Sequence, residues 1–133
     1  MSDIQGKKHI VLLIDDDQFL LNMYTLKFKN SGFEVEAINS ASLALTKLRE
    51  GFKPDVILCD LVMPAMDGLE LIKKFKEEHL SPASAIIVLS NQGQSTDIDR
   101  AKELGIDGYI VKASTIPSEV VEEVRKVVAK RKA

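Results

Sequence analysis

The sequence predicts an α/β protein in which five strands alternate with five helices around a parallel sheet, a doubly wound (βα)5 chain. Three observations predict this fold class. Short apolar runs with almost no polar alternation recur along the chain, which is typical of strands covered on both faces. Amphipathic helical stripes separate the runs. The connections are short, and this order of elements favours right-handed crossovers within one sheet.

The apolar runs mark the predicted strands in chain order: Ile10–Ile14, a weaker run at Phe33–Ile38, Val56–Cys59, Ala85–Leu89 and Tyr109–Val111. Helical spacing predicts one helix after each run, on these stripes: Leu20, Met23, Tyr24 and Phe28; Ala41, Ala44, Leu45 and Leu48; Leu69, Ile72 and Phe75; Ile98, Ala101 and Leu104; Val120, Val121, Val124, Val127 and Val128. Pro117 suits the start of the last helix. Gly32, Gly51 and Gly105 follow helical stripes at positions suited to left-handed caps.

Composition limits the possible classes of protein. The chain has 133 residues, the size of one domain, and 45% apolar with 29% charged residues excludes disorder and collagen-like repeats. A net charge of −2 argues against a surface that coats nucleic acid. The single cysteine, Cys59, excludes an internal disulfide and favours a reducing compartment. No early apolar run suits a membrane span or a secretion signal.

We therefore expect one cytoplasmic domain over residues 1–133, without direct nucleic-acid or membrane partners. Residues 1–8 form a polar start and residues 130–133 a basic tail.

Polar side chains close four of the five apolar runs. They are Asp15, Asp16 and Asp17 after the first run, Asp60 after the third, Ser90 after the fourth and Lys112 after the fifth. Ligands of such sheets bind outside the carboxyl ends of the strands. We therefore expect these carboxylates, the hydroxyl and the ammonium to meet at one rim.

The chemistry of this set points to phosphoryl transfer. Clustered carboxylates repel one another unless a cation or a proton compensates, and Mg²⁺ prefers such oxygen ligands. An aspartate carboxylate can attack phosphorus and form an acyl phosphate. The ion, an ammonium and a hydroxyl would share the charge on the phosphoryl oxygens. The residue set thus suits transfer onto Asp60.

Four blocks of the chain, in order, resemble the receiver domain of two-component response regulators. They are Val-Leu-Leu-Ile-Asp-Asp-Asp at 11–17, Asp-Leu-Val-Met-Pro-Ala-Met-Asp-Gly at 60–68, Ile-Val-Leu-Ser at 87–90 and Gly-Tyr-Ile-Val-Lys at 108–112. The resemblance implies a flavodoxin-like fold with strand order 2-1-3-4-5, similar to the stand-alone chemotaxis receivers. It also implies a phosphorylation-dependent signalling switch that acts through partner binding and is not an enzyme, beyond taking part in its own phosphoryl transfer and dephosphorylation.

The resemblance assigns the binding roles by position. Asp60 corresponds to the phosphoacceptor. Asp15 and Asp16 correspond to the acidic pair that holds Mg²⁺ together with Asp60, with Asp16 the closer ligand, and the backbone carbonyl of Val62 completes the protein's share.

The resemblance also assigns the switch. Ser90 corresponds to the switch hydroxyl, Lys112 to the lysine that contacts the phosphoryl group, and Tyr109 to the aromatic side chain whose rotamer reports the switch. The implied partners are a sensor histidine kinase or a histidine-phosphotransfer protein, and a downstream protein.

Simpler roles suit the neighbouring residues. Asp17 is placed to cap the first helix, and Asp67 with Gly68 to form a turn at a helix start. Cys59 is predicted to be an inert core residue.

Two alternative functions compete with that of a phosphorylated receiver. A degenerate receiver would bind proteins without phosphorylation. A haloacid-dehalogenase-type phosphatase would use the Asp-x-Asp at 15–17, but no aspartate follows Lys112 and the block at 60–68 would be unexplained.

The chain departs from the usual pattern of the family in three places. Asn91 replaces the usual small residue after the switch hydroxyl, Ala113 replaces the usual proline after the lysine, and the connection 113–119 is about one residue longer than usual. We expect a trans Lys112–Ala113 peptide bond, because cis would cost about 2.5–4 kcal/mol without proline.

Overall fold

The computed structural model describes residues 8–90, 95–112 and 115–132. Residues 1–7 of the polar start, Asn91, Ala113 and Ala133 lie outside these ranges. The predictions about Asn91 and about the Lys112–Ala113 peptide bond therefore stay predictions.

Within the described ranges, five strands alternate with five helices along the chain. The strands are β1 (Ile10–Ile14), β2 (Glu34–Ile38), β3 (Val56–Cys59), β4 (Ala85–Ser90) and β5 (Gly108–Val111). The helices are α1 (Gln18–Asn30), α2 (Ala41–Arg49), α3 (Gly68–Glu77), α4 (Ser95–Glu103) and α5 (Pro117–Lys132). All strand pairs are parallel, in the order β2-β1-β3-β4-β5. The predicted fold class and strand order are confirmed.

Helices cover both faces of the sheet, and each face buries its own apolar cluster. Alternate residues of β1 point to opposite faces: Leu12 and Ile14 join the cluster under α2, α3 and α4, whereas Val11 and Leu13 join the cluster under α1 and α5. A strand covered on both sides needs apolar residues at every position. This double cover explains the unbroken apolar runs of the sequence.

Strand β2 lies at one edge of the sheet, with β1 as its neighbour. Glu34 and Ala37 are exposed, and Ile38 is its one buried residue. The Lys47 ammonium lies 3.7 Å from the Glu36 carboxylate on this edge. The edge position explains why the second apolar run is the weakest in the sequence.

The buried face of α1 differs from its predicted stripe. Leu21, Tyr24 and Phe28 are buried, whereas Leu20 and Met23 are only partly buried. The sequence carries apolar residues at adjacent positions 20 and 21, so periodicity alone does not fix which of them faces the sheet. The packing of α1 selects Leu21.

Aspartate side chains cap the helices that follow β1 and β3. The Asp17 carboxylate accepts a hydrogen bond from the Leu20 N–H at 3.2 Å, and the Asp67 carboxylate accepts one from the Glu70 N–H at 2.9 Å. Both aspartates are N-caps, which the sequence predicts for Asp17, whereas for Asp67 it predicts a turn at a helix start. Pro117 begins α5, also as predicted.

No helix in the part of the chain that the structure describes combines the length and the apolar character needed to cross a membrane.

Candidate functional site

The carboxyl ends of the central strands form the candidate site. Ile14 of β1 pairs with Cys59 of β3, so Asp15 and Asp60, the next residues, leave the sheet side by side. Both carboxylates are buried, with 6% of each residue exposed. Two acidic side chains are thus held together at one rim by the register of the sheet.

A third carboxylate completes an acidic cluster, which we define as Asp15, Asp16 and Asp60. One carboxylate oxygen from each lies within 4.8 Å of the others, and Asp16 is exposed. Three converging oxygens, one of them open to solvent, are a donor set that fits Mg²⁺, which keeps several waters and takes few protein ligands.

Lys112 brings a buried positive charge to the cluster. Its ammonium donates a hydrogen bond to Oδ2 of Asp15 at 2.8 Å and lies 3.8 Å from Oδ1 of Asp60. The Lys112 side chain is only 6% exposed. The other oxygen of Asp15, Oδ1, accepts a hydrogen bond from the Asp17 N–H at 3.0 Å. Asp15 therefore anchors the lysine, while Asp60 lies beside it without a hydrogen bond.

The surroundings of Asp60 raise the pKa of its carboxyl above the ordinary value. The net effect is a rise of this pKa from 3.8 to about 6, and burial is the largest cause. The Lys112 ammonium lowers this pKa, Asp15 raises it, a backbone hydrogen bond from Val62 lowers it, and Asp16 raises it. Removal from water and negative neighbours together outweigh the lysine.

The loop after β3 wraps closely around Asp60. Val62 is 75% exposed, and its backbone lowers the pKa of the Asp60 carboxyl. The Gly68 N–H donates to the Leu61 carbonyl at 2.8 Å, and a Cβ on Gly68 would overlap the Asp60 carbonyl oxygen. Sequence reasoning placed Gly68 at a turn and missed this close approach, for which the Asp-Gly pair before a helix was the available signal.

Ser90 and Tyr109 lie on the neighbouring strands. Ser90 ends β4, pairs with Val111 and is 2% exposed. Tyr109 pairs with Val88 and is half-buried against the cluster on the face of α2, α3 and α4. The hydroxyl of Ser90 and the ammonium of Lys112 thus come from adjacent strands at the same rim.

Tyr24 of α1 is a further polar residue at the site, and sequence reasoning assigned it to packing alone. It is 5% exposed and lines a small cavity together with Asp15 and Asp60. Burial raises the pKa of its hydroxyl, Lys112 lowers it and Asp15 raises it. The available signal was a tyrosine within a stripe of otherwise apolar residues.

Cys59, directly before Asp60, is fully buried, and burial raises the pKa of its thiol. A thiol that stays protonated is a poor nucleophile. Its surroundings are those of the inert core residue that the sequence predicts.

The site combines a buried carboxylate beside an ammonium with two further carboxylates and a hydroxyl. This arrangement is suited to transferring a phosphoryl group with the help of a divalent cation. The model of the response regulator receiver domain matches residues 11–125. The chain belongs to this family.

Relatives of this receiver domain include complete small proteins and parts of longer ones. The chemotaxis protein CheY of Thermotoga maritima is 37% identical over 124 residues, which cover 92% of this chain and 98% of CheY. The DNA-binding response regulator MtrA of Mycolicibacterium smegmatis is 33% identical over 115 residues, 86% of this chain and 48% of MtrA. The chain thus spans about half the length of the MtrA proteins that it matches.

Solved structures support the same family. A response regulator from Chloroflexus aurantiacus has 30% identity and a TM-score of 0.83, with 92% of this chain and 99% of that chain covered. A CheY-like receiver domain from Methanospirillum hungatei has 24% identity and a TM-score of 0.86, with 95% of this chain and 98% of that chain covered. This likeness shows that the two chains share a fold.

Membership of the family confirms the predicted class of function. Receiver domains are phosphorylation-dependent switches of two-component signalling, and they are signalling proteins rather than enzymes of the usual kind. They bind Mg²⁺ at an acidic cluster and interact with histidine kinases and downstream targets. Neither the degenerate receiver nor the phosphatase alternative gains support.

Proposed function

We propose that this receiver domain accepts a phosphoryl group on Asp60 from the phosphohistidine of a sensor histidine kinase or of a histidine-phosphotransfer protein. The observation that carries the proposal is the position of the Asp60 carboxylate. It lies 3.8 Å from the buried Lys112 ammonium and within 4.8 Å of two other carboxylates, at the rim where the sheet ends.

In the proposed step, an Asp60 carboxylate oxygen attacks phosphorus and forms the new oxygen–phosphorus bond. The phosphorus–nitrogen bond of the donor breaks, and its electron pair stays on the imidazole nitrogen, which takes a proton from solvent. The Lys112 ammonium, already close to Asp60, stabilises negative charge on the transferred oxygens. Solvent hydrolysis of the acyl phosphate later restores the carboxylate.

We further propose that Asp15, Asp16, Asp60 and the backbone carbonyl of Val62 hold Mg²⁺. Both oxygens of Asp15 already accept hydrogen bonds, from Lys112 and from Asp17, whereas Asp16 is exposed. This difference supports Asp16 as the closer ligand. When bound, the ion supplies positive charge that offsets the carboxylates and the phosphoryl oxygens.

The proposed switch runs from Asp60 to Tyr109. An aspartyl phosphate adds roughly two negative charges near Ser90 and Lys112. Ser90 then moves toward the phosphoryl oxygens, and Tyr109, half-buried in β5, turns inward. The face of α4, β5 and α5, around Lys102, Tyr109 and Glu122, presents the changed surface to a downstream protein.

Intact mass after incubation with acetyl phosphate and Mg²⁺ tests the assignment. The wild-type protein should gain one phosphoryl group that is labile to base. Asp60→Asn should abolish the gain while the fold survives, because the amide is nearly isosteric with the carboxylate. Asp99→Asn, an exposed aspartate of α4, is the matched control and should be phosphorylated like the wild type. Undiminished uptake by Asp60→Asn would show that the phosphoacceptor is another residue.

A further inference from the structure

Strand β5 carries Tyr109 and leads directly into Lys112, yet its own burial does little to hold it in place. It lies at the edge of the sheet, beside β4. Of its four described residues only Ile110 is buried, whereas all six residues of β4 are buried. The buried face of a strand sets its register, so a single buried residue specifies the register of β5 only weakly.

The register of β5 matters because Lys112 follows the strand without a break. A slip of one residue would move every side chain of β5 to the opposite face of the sheet. It would also displace Lys112 by about 3.3 Å along the strand. That displacement is comparable with the 3.8 Å that separates the Lys112 ammonium from Oδ1 of Asp60. The place of the ammonium therefore depends on how β5 is aligned with β4.

Asp107, the residue before β5, aligns the two strands. Its N–H donates a hydrogen bond to the Ile86 carbonyl at 2.7 Å, and its Oδ2 accepts one from the Ile86 N–H at 2.8 Å. These two bonds tie both the backbone and the side chain of Asp107 to one residue of β4. They precede the pair of Ile87 with Gly108 and continue its register by one position.

Arg131 of α5 holds the same carboxylate from the other side. Its Nη1 donates to Oδ1 of Asp107 at 2.9 Å, so the two oxygens of Asp107 have different partners. Its Nη2 donates to the carbonyl of Ala83, which lies just before β4, at 3.1 Å. Bonds between charged groups are stronger than neutral ones, and the Asp107 side chain is only 22% exposed. One guanidinium thus joins α5 to the starts of β4 and β5.

The same pair of hydrogen bonds occurs before β3, where it is less important. The Asp55 N–H donates to the Ile10 carbonyl at 2.8 Å, and its Oδ2 accepts from the Ile10 N–H at 2.7 Å. However, β3 pairs with β1 on one side and with β4 on the other, and all four of its residues are buried. The register of β3 is therefore fixed without Asp55, which makes Asp55 a matched comparison for Asp107.

We propose that Asp107, supported by Arg131, is a positioning residue that sets the register of β5 on β4 and thereby places Lys112 beside Asp60. The inference rests on the proposed function, in which the Lys112 ammonium stabilises charge on the transferred phosphoryl oxygens. Without the two bonds to Ile86, β5 shifts along β4 and the ammonium leaves its position next to Asp60.

The first test measures the register directly by nuclear Overhauser effects between backbone protons of β4 and β5. In the wild type they should match the pairing of Val88 with Tyr109. In Asp107→Ala this pattern should be lost, whereas Asp55→Ala should keep the corresponding pattern between β1 and β3. Arg131→Gln, which removes only the support of the Asp107 carboxylate, should weaken the β4–β5 pattern. An unchanged pattern in Asp107→Ala, or in Arg131→Gln if the alanine variant does not fold, would overturn the inference.

The second test is the rate of phosphorylation by acetyl phosphate at saturating Mg²⁺. We expect Asp107→Ala to lower the rate constant at least about tenfold, since a misplacement of about 1 Å can cost about a hundredfold. Asp107→Asn keeps an acceptor for the Ile86 N–H and should recover part of the rate. Asp55→Ala should react like the wild type. Equal slowing in Asp55→Ala and Asp107→Ala would show that lost stability, and not the register of β5, is the cause.

A double-mutant cycle with Lys112→Met shows whether Asp107 acts through the lysine. If it does, Asp107→Ala slows the wild type and has no further effect on Lys112→Met, whereas independent effects multiply. Multiplying effects would contradict the positioning role.

The outcomes separate this inference from the proposed function. A wild-type protein that takes up no phosphoryl group contradicts the proposed function, and the Overhauser effects still test the register. A wild-type protein that is phosphorylated on Asp60, with the β4–β5 pattern unchanged in Asp107→Ala, contradicts the role of Asp107 alone.

Discussion

Attack on phosphorus needs the ionised Asp60 carboxylate, whereas burial favours its protonated form. Its pKa of about 6 lies above the ordinary value of 3.8, so the folded protein holds a proton at pH values where the unfolded chain has released it. Stability falls with rising pH wherever the folded state binds more protons. The ionised carboxylate therefore destabilises the folded state at neutral pH when no cation is bound.

This sign predicts the pH dependence of Asp60→Asn in Mg²⁺-free buffer. The free energies of unfolding of the variant and the wild type should differ by a nearly constant amount below about pH 3, where the carboxyl is protonated in both the folded and the unfolded state. As the pH rises further to about 7, the free energy of unfolding of Asp60→Asn should increase relative to that of the wild type, since its amide does not ionise. Urea unfolding at a series of pH values measures the difference, and parallel curves would show that burial does not raise the pKa of Asp60.

Asp16 and Asp17 are adjacent carboxylates with different predicted roles. Asp16→Ala should weaken Mg²⁺ binding by at least about tenfold, since even residues that only orient ligands have effects of that size. Asp17→Ala should leave this affinity nearly unchanged and cost about 1 kcal/mol of stability, because Asp17 caps α1. Isothermal titration calorimetry and urea unfolding provide the two measurements. Equal losses of affinity would contradict the choice of Asp16 as the ligand.

The sequence could predict which residue types meet at the site, but not which atoms pair. Parallel strands deliver their following residues to one rim, so the positions of Asp15, Asp60 and Lys112 follow from the pattern of strands. That the ammonium hydrogen-bonds to Asp15 and not to Asp60 depends on packing between segments 97 residues apart. Tyr24 was missed for the same reason, because periodicity gives the face of α1 and not the polar group at its end.

Helix α3 is the element whose position depends on a single missing side chain. Gly68→Ala would place a Cβ against the Asp60 carbonyl, so either α3 or the end of β3 must move. We expect a stability loss of about 1–3 kcal/mol, the usual cost of overpacking, together with slower phosphorylation. Urea unfolding and the acetyl phosphate reaction measure the two effects.

Gly105→Ala provides the control for that experiment. Gly105 has a φ of 81°, so alanine there is strained, but it lies at the end of α4 and away from Asp60. It should lower stability and leave the phosphorylation rate unchanged. Equal slowing in both variants would mean that the loss of stability, and not the position of Asp60, causes the effect at Gly68.

The bounds of the strands show how well apolar runs in the sequence predict where a strand begins and ends. Double burial makes the runs of β1 and β3 unambiguous, and their bounds agree with the sequence prediction. Strand β4 extends one residue further, to Ser90, because this polar residue still pairs with Val111 of β5. Apolarity cannot reveal a strand residue whose place is fixed by the neighbouring strand.

For the molecule as a whole, the proposed switch must connect the rim to the outer face of β5. Ser90→Ala should still accept a phosphoryl group on Asp60, since its hydroxyl is not the nucleophile. The amide chemical shift of Tyr109 should then respond less to acetyl phosphate with Mg²⁺ than it does in the wild type. Two-dimensional NMR of both proteins measures this response. A full response in Ser90→Ala would mean that the signal reaches β5 by another route.

The exposed edge of β2 bears on self-association. An unpaired edge strand is a template for strand addition by another chain, and inward or flanking charges are a common protection. Glu34 and Glu36 repeat a negative charge along this edge, so two such edges brought together repel each other. The double substitution Glu34→Val and Glu36→Val should raise scattering and sedimentation mass at high concentration, whereas Glu70→Val on the exposed side of α3 should not. We therefore expect Glu34 and Glu36 to oppose strand addition at this edge, independently of phosphorylation.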